Sequence, residues 1–483
     1  MNNLVALNAS NNSFTGLMPS SICNHAPSLA MLDLCLNEFN GTAFFLMNFL
    51  MLPHWSSSLF QKNDIQGILD ASNLIKLTNL IILDLGSNGL LGNIPDTIGQ
   101  LRRLEELHLD NNLMSGELPL TLDNCTRLKY ITLRNNSFRG DLGRVNFTQL
   151  DLRTADFSMN YFTGTVPESI YACSNLIALR LAFNKFHGQF SPSIANLRSL
   201  SFLSIASNSF TNITDALQKL KSCSNLTSLL IGTNFNGETI SENEAIDGFE
   251  NLQVLAIDGC PLVGDIPTAL MNMPMIQYQK NDVQLDPKFL ELPVYLTATR
   301  QYRVLNAFPI LLNLGNNRFT GSIPPEIGQL KMLDVLNFSS NNLSGEIPWQ
   351  LSNLTSLQML DLSNNQLTGE IPPTLSDLHF LSIFNVANNE LEGSVPTGWQ
   401  FDTFTDSSYS GNSKLCGPMI RVQCDSTKTH TAPVENGHKK TILALALGLI
   451  FGGLAALALL ACFLIARLVY DDHTENLVPL HRR

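Results

Sequence analysis

Charge is scarce in this sequence: Asp, Glu, Lys and Arg make up only 14% of 483 residues, and the formal balance is −12. Basic residues adjoin outside the repeating part only as Lys439-Lys440 and Arg482-Arg483. A phosphate backbone needs a Lys/Arg surface, so nucleic acid is not an expected partner. Cysteine is sparse at nine residues, too few for a disulfide scaffold of this length. Catalytic spacings are missing as well. His25, His54, His108, His187 and His379 stand alone, without a Ser/His/Asp, Cys/His or metal-ligand pattern. No G-x-G-x-x-G loop, V-A-I-K strand, H-R-D or D-F-G occurs, so nothing holds ATP or Mg²⁺. The chain is expected to be no enzyme and to carry no cofactor and no metal. Apolar residues reach 44%, which excludes disorder and leaves room for a membrane segment.

What the chain does have is asparagine at fixed spacing. The segments 107-LHLDNNLMSG-116, 131-ITLRNNSFRG-140 and 360-LDLSNNQLTG-369 share the frame L-x-L-x-x-N-x-L-x-G, often followed by I-P. The frame asparagines are Asn12, Asn37, Asn63, Asn88, Asn112, Asn136, Asn160, Asn184, Asn208 and Asn234; Cys260 takes the next place, and Asn317, Asn341, Asn365 and Asn389 complete fifteen units. Within each block the step is 24 to 26 residues. This is the pattern of a leucine-rich-repeat solenoid of the α/β type with G-x-I-P repeats. The L-x-L pair predicts a short strand with two side chains in the core. A unit cannot bury its leucines alone, so neighbours stack and share a continuous core. The frame Asn sits at the turn, where its side chain satisfies backbone groups of the adjacent unit; a Cys does so weakly. The stacked strands predict a parallel sheet on a concave face. His108, Asp110, Thr132, Arg134, Asp156, Ser158 and Arg180 are expected to face outward there, as a solvated face residue by residue and a binding surface taken together.

Two stretches break the pattern. Residues 43 to 58 fit poorly: 43-AFFLMNFLML-52 is too short to span a bilayer, and the unit around Asn63 keeps only Phe60, Ile65 and Gly67, as in a damaged repeat. Between Met275 and Asn306 lie about 30 extra residues, 276-IQYQKNDVQLDPKFLELPVYLTATRQYRVL-305. Insertions in solenoids tend to project on one face, often the binding face; a tolerated surface loop is the other reading.

The segment 442–466 contains no charge and, as a helix of roughly 37 Å, is long enough to cross a ~30 Å hydrocarbon core. A single transmembrane helix is expected there. Eleven N-x-S/T sequons, at Asn8, Asn11, Asn40, Asn124, Asn135, Asn146, Asn212, Asn225, Asn337, Asn342 and Asn353, place the repeats in the secretory lumen and thus outside the cell, although the Asn- and Ser-rich repeat inflates that number. Cys416 and Cys424 follow the last repeat closely and are candidates for a disulfide that caps the core. No signal peptide precedes 4-LVALNASNNSFTG-16, which reads either as a truncated N-terminus or as a tail-anchored protein with cytosolic repeats; the first is preferred. The expected organisation is repeats over 1–275 (43–58 degenerate), an insertion over 276–305, four repeats over 306–398, a cap over 399–424, a linker over 425–441, the span over 442–466 and a short cytoplasmic tail over 467–483.

The G-x-I-P repeats resemble those of plant leucine-rich-repeat receptor-like kinases and receptor-like proteins. The insertion before the last four repeats with 289-FLELPVY-295, the segment 377-DLHFLSIFNVANNELEGSVPTG-398 and 401-FDTFTDSSYSGNSKLCGP-418 narrow this. Together they are similar to the receptors for tyrosine-sulfated peptides, the phytosulfokine and sulfated-glycopeptide group. The resemblance implies a plasma-membrane, single-pass receptor whose insertion and concave face bind an extracellular peptide, with a short-ectodomain co-receptor kinase as partner. By that resemblance the ligand-binding residues are Lys280, Lys288, Tyr295, Arg300, Tyr302 and Arg303, with the cations facing a sulfate. The departure is the missing kinase: only 467-RLVYDDHTENLVPLHRR-483 follows the span, and 475-ENLVPL-480 looks like a stretch inside such kinases or is part of a random basic tail. A receptor that signals through a co-receptor or acts as a decoy is the first expectation. A defence-related receptor for a microbial ligand and a non-functional fragment of a receptor kinase are the alternatives.

Overall fold

The computed structural model describes residues 3–17, 25–42, 56–240, 249–273, 294–297, 300–302 and 309–424, excluding the side chains of Ser58 and of 294–302. Met1–Cys424 forms one compact unit, and the remainder, Asp425–Arg483, is a separate unit outside the described residues. The expected span 442–466 therefore lies outside them too. Among the described residues no helix is long and apolar enough to cross a membrane.

The L-x-L residues form fifteen three-residue strands, from Ala6–Asn8 to Ile383–Asn385, each paired in parallel with the next in chain order. This broad sheet is the one expected from the repeat. The insertion does not interrupt it: Val254–Ala256 pairs directly with Leu311–Asn313. Nor does the poorly fitting stretch, since Ser57–Leu59 pairs with Met31–Asp33 on one side and Ile82–Asp84 on the other. A second parallel sheet of nine strands, from Thr15–Leu17 to Ser209–Phe210, was not foreseen. It uses the N-x-L-x-G residues to which only a bend was assigned. After the I-P of most units the chain makes a single 3-10 turn, as in Asp96–Gln100 and Trp349–Asn353. Two units substitute an α-helix, Ala71–Leu74 and Ile213–Leu220; the cap of the second, Asn212, accepts a hydrogen bond from the Asp215 amide at 3.3 Å.

The central leucines of the strands, among them Leu83, Leu107, Leu203 and Leu360, are completely buried. Each contributes about 2 kcal/mol by leaving water. Where the frame carries phenylalanine after the asparagine, Phe138, Phe162 and Phe186 stack at 6.2 and 6.5 Å.

The frame asparagines join one unit to the next. Asn112 Nδ2 donates to the Leu109 and Asp110 carbonyls of its own turn and to Leu85 O of the preceding unit, at 3.0, 3.1 and 3.0 Å. Its Oδ1 accepts from Leu90 N at 2.9 Å. Asn63, in the unit read as damaged, makes the same bonds to Leu34 O, Phe60 O and Phe39 N, so that unit retains its turn. At Cys260 the thiol makes longer contacts of 3.7 Å to Ile231 O and Asp258 O, and accepts from Asn234 N at 3.5 Å. The ladder also runs one unit further than the L-x-L frame: Asn412 Nδ2 donates to Val386 O and Tyr409 O, and its Oδ1 accepts from Leu391 N. Gly411 makes that last turn. Its φ is +81°, and a Cβ there would sit 2.9 Å from the Asn388 Cα and closer still to its side chain.

Candidate functional site on the broad sheet

Each strand of the broad sheet sends its middle residue into the core and its two outer residues to the opposite face. The second of those outer positions has a structural occupant in about half of the fifteen strands. Asn8, Asp33, Asp84, Asp156, Asn313, Asn337, Asp361 and Asn385 each turn a side-chain oxygen back to the amide two residues on, at 2.9 to 3.1 Å. These bonds end the strand in an Asx turn. His108, Thr132, Arg180, Ser204, Leu230 and Ala256 occupy that position without such a bond.

The residues expected to face outward do lie on this face or at its edge, yet most are not exposed. Asp110, Thr132, Asp156, Ser158 and Arg180 are buried, and His108 and Arg134 are half-buried. Neighbouring strands stand only ~4.8 Å apart, so side chains in one row pack on each other. Asp156 is also drawn down by its bond to Ser158.

Three zones follow one another across the face. The first is ionisable. His108 Nε2 lies 3.3 Å from Glu106 Oε2, and Nδ1 lies 3.0 Å from the Thr132 hydroxyl, which donates to Asp110 at 3.1 Å. Burial opposes charging of His108, but Glu106, Asp84 and Asp110 outweigh it and hold its pKa above the usual value. Burial pushes the Asp84 carboxyl up to about 6 against the pull of His108, and also raises Asp110. The second zone is mixed. The Arg180 guanidinium lies 4.3 Å from the Phe202 ring centre, and Phe202 packs with Ala178 and Leu230. The third zone is apolar: Val254, Ala256, Leu311 and Val335 cluster with Leu230 and Met359. It spans the two strands between which the insertion leaves and rejoins.

Of the residues assigned to ligand binding, Lys280, Lys288 and Arg303 lie outside the described residues. Tyr295 falls in the strand Val294–Thr297, and Arg300 and Tyr302 in Arg300–Tyr302. These two strands pair antiparallel, with Tyr295 opposite Gln301 and Val294 opposite Tyr302. Cys416 and Cys424 are joined by a disulfide, with Cα atoms 5.0 Å apart. Cys125, Cys173 and Cys223 are buried free thiols that donate to the carbonyls of Ile98, Phe147 and Ile194, and burial pushes their pKa values up to about 12, 11 and 11. That makes them inert core groups. Among the sequon asparagines, Asn337 alone is not exposed; it stands half-buried in a strand of the broad sheet.

Comparison with known proteins agrees with the repeat. Leucine rich repeat profiles match residues 311–367 and residues 3–25, 79–101 and 103–125.

The chain carries leucine-rich repeats.

This leucine-rich-repeat chain is 44% identical to Receptor-like protein 3 of Arabidopsis thaliana over 48% of its own length and 38% of the relative's. It is 36% identical to Phytosulfokine receptor 1 of Arabidopsis thaliana over 15% of its length and 7% of the relative's. It thus spans well under half of either protein. Among solved structures, it is similar to the plant peptide hormone receptor RGFR1 in complex with RGF2, with a TM-score of 0.65 and 26% identity over 85% of this chain and 63% of that one. It is also similar to the ectodomain of the Arabidopsis receptor kinase HAESA in complex with an N-terminally extended IDA peptide hormone, with a TM-score of 0.63 and 28% identity over 86% and 62%. These two relatives are a plant receptor-like protein and a plant receptor, and these two structural neighbours are plant receptor structures.

The pattern put these residues on the sheet face but showed neither that most of them are buried there nor how to rank them. The signal that ranks them is departure from Asp or Asn after the central leucine, and Arg180 is the most pronounced departure.

Proposed function

We propose that the chain is the extracellular recognition part of a plant receptor-like protein and binds a peptide across the broad sheet and the insertion 276–305. The observation that carries this reading is the composition of the sheet face. A polar zone, an arginine beside an aromatic ring and an apolar zone lie in series along adjacent strands, where an extended peptide can meet all three. The peptide-bound state of the RGFR1 and HAESA structures supports it. By resemblance the ligand is tyrosine-sulfated, and Lys280, Lys288, Arg300 and Arg303 supply its cations while Tyr295 and Tyr302 supply the apolar wall. The segment 442–466 anchors the chain in the plasma membrane as a single-pass type I protein, the exposed sequons carry glycans, and a co-receptor kinase with a short ectodomain supplies the signal, unless the chain acts as a decoy. Titration of a fluorescent tyrosine-sulfated peptide onto the secreted chain tests this: tighter binding than for the unsulfated peptide is expected, and equal affinity removes the sulfated-peptide assignment.

A further inference from the structure

The chain as a whole is acidic, with 29 Lys and Arg against 41 Asp and Glu, but one flank of the solenoid reverses that sign. In each unit a short segment leads into the broad-sheet strand. In six consecutive units these segments are 77–82, 101–106, 125–130, 149–154, 173–178 and 197–202. They hold five arginines and a lysine against three acids. The acids are engaged: Glu105 pairs with Lys129 at 2.7 Å, and Glu106 lies 3.3 Å from His108 on the sheet face. Asp151 accepts from the Asn175 amide at 2.7 Å. The corresponding segments further along, 330–335, 354–359 and 378–383, hold only Lys331 and Asp334.

Nothing in the fold asks for these cations. Equivalent side chains of neighbouring units touch here, as Arg103 Nη1 does on Asn79 at 2.8 Å and Asn175 does on Asp151. Arg103 and Arg127 are therefore like charges side by side, a placement that costs stability. Backbone bonds from Lys129 N to Glu105 O and from Arg153 N to Lys129 O carry a second row through the same units. Arg102, Arg127, Arg153 and Arg198 are exposed, and among the described residues their side chains have no ion pair or hydrogen bond. No large apolar side chain of the six segments is exposed. The flank thus lacks the anchors that a protein partner or a lipid surface needs.

We propose that this flank is a docking strip for a linear acidic polysaccharide, a polymer with a carboxylate on each sugar. The arginines take carboxylates through their paired N–H groups, and the exposed Thr126, Ser174 and Asn175 meet sugar hydroxyls. The strip repeats its cations along a line, from Arg102 to Arg198, in four steps of ~4.8 Å. A ligand whose charge also recurs along a line can engage several of them at once, and the reversed sign of the flank draws it there. The proposal needs the repeats to lie outside the cell, as above, but uses neither the insertion nor the sheet face.

Binding of the full chain to immobilised polygalacturonate, read by interferometry, tests the proposal. Binding is expected, and it should weaken as salt rises, because exposed charges are screened. The fully methyl-esterified polymer, which has no charge, is expected not to bind. The triple variant Arg103→Gln, Arg127→Gln, Arg153→Gln is expected to bind roughly tenfold more weakly, from three exposed ion pairs of about twofold each. The double variant Arg139→Gln, Lys185→Gln removes exposed cations of the nine-stranded sheet and is expected to bind like the unmodified chain. Equal binding of the esterified polymer would overturn the proposal. So would a triple variant that binds as well as the unmodified chain, or a double variant that loses as much as the triple. Polyglutamate or anionic phospholipid vesicles bound as tightly as polygalacturonate would overturn the assignment to a polysaccharide. Polygalacturonate bound by a chain that takes no sulfated peptide would leave the strip standing and remove the peptide reading.

Discussion

Replacing Asn365 by Ala should cost the protein about 3–5 kcal/mol, because the side chain answers several buried backbone groups at once. Asn365 Nδ2 donates to Phe338 O, Leu362 O and Ser363 O at 2.9, 3.1 and 3.2 Å, and Oδ1 accepts from Leu343 N at 3.0 Å. All of this is buried. A methyl group leaves the Leu343 amide and at least two carbonyls without partners, and each buried orphan costs about 1–3 kcal/mol. The site sits between two units, so the loss should uncouple their unfolding. The reverse change is available at Cys260, where contacts of 3.5 to 3.7 Å stand in for those bonds. Cys260→Asn should therefore stabilise the chain by about 1 kcal/mol, one net hydrogen bond. Urea unfolding followed by circular dichroism measures both. A loss below about 1 kcal/mol for Asn365→Ala, within the range of an ordinary surface change, would refute the claim that the asparagine ladder couples the units.

Other outcomes follow from single groups. Asp84 has its pKa raised from 3.8 to about 6, so its contribution to stability is full below pH 3.8 and is lost as the pH rises towards 6; Asp84→Asn should flatten that part of the pH–stability curve. His108, also raised, contributes below its ordinary value of 6.5 and loses that contribution as pH rises through its folded value, so its effect runs in the same direction. Phe183 holds φ at +55° while 58% exposed, and Phe183→Asn should raise stability by about 1 kcal/mol in the same urea experiment, since Asn tolerates the left-handed region. Glycopeptide mass spectrometry of the chain secreted from plant cells should find Asn337 unmodified, because it lies half-buried in the sheet with Oδ1 bound to Ser339 N at 2.9 Å.

The repeat was legible because one side chain per unit carries an obligation that only asparagine meets well. Its period therefore survives where leucines are lost, as at Asn63. Asn412 escaped notice because 407-SSYSGN-412 lacks the L-x-L pair, though its bonds are those of the other units. The second sheet was hidden for a different reason: two or three extended residues before a left-handed glycine have no periodicity of their own. Burial on the sheet face depends on what the next strand places alongside. That is why Arg180 read as one solvated position among several until the Asx turns showed what the position is normally for. The charged residues of 276–305 could be assigned only by resemblance, because no repeat fixes their geometry.

The central claim is that ligand lies on the broad sheet. A tyrosine-sulfated peptide carrying a benzophenone, cross-linked to the secreted chain and mapped by mass spectrometry, tests it most directly. Adducts are expected on the strands from Thr154–Asp156 to Val335–Asn337 and on the insertion. Adducts confined to the 3-10 turns, such as Leu120–Asn124 and Trp349–Asn353, would contradict it.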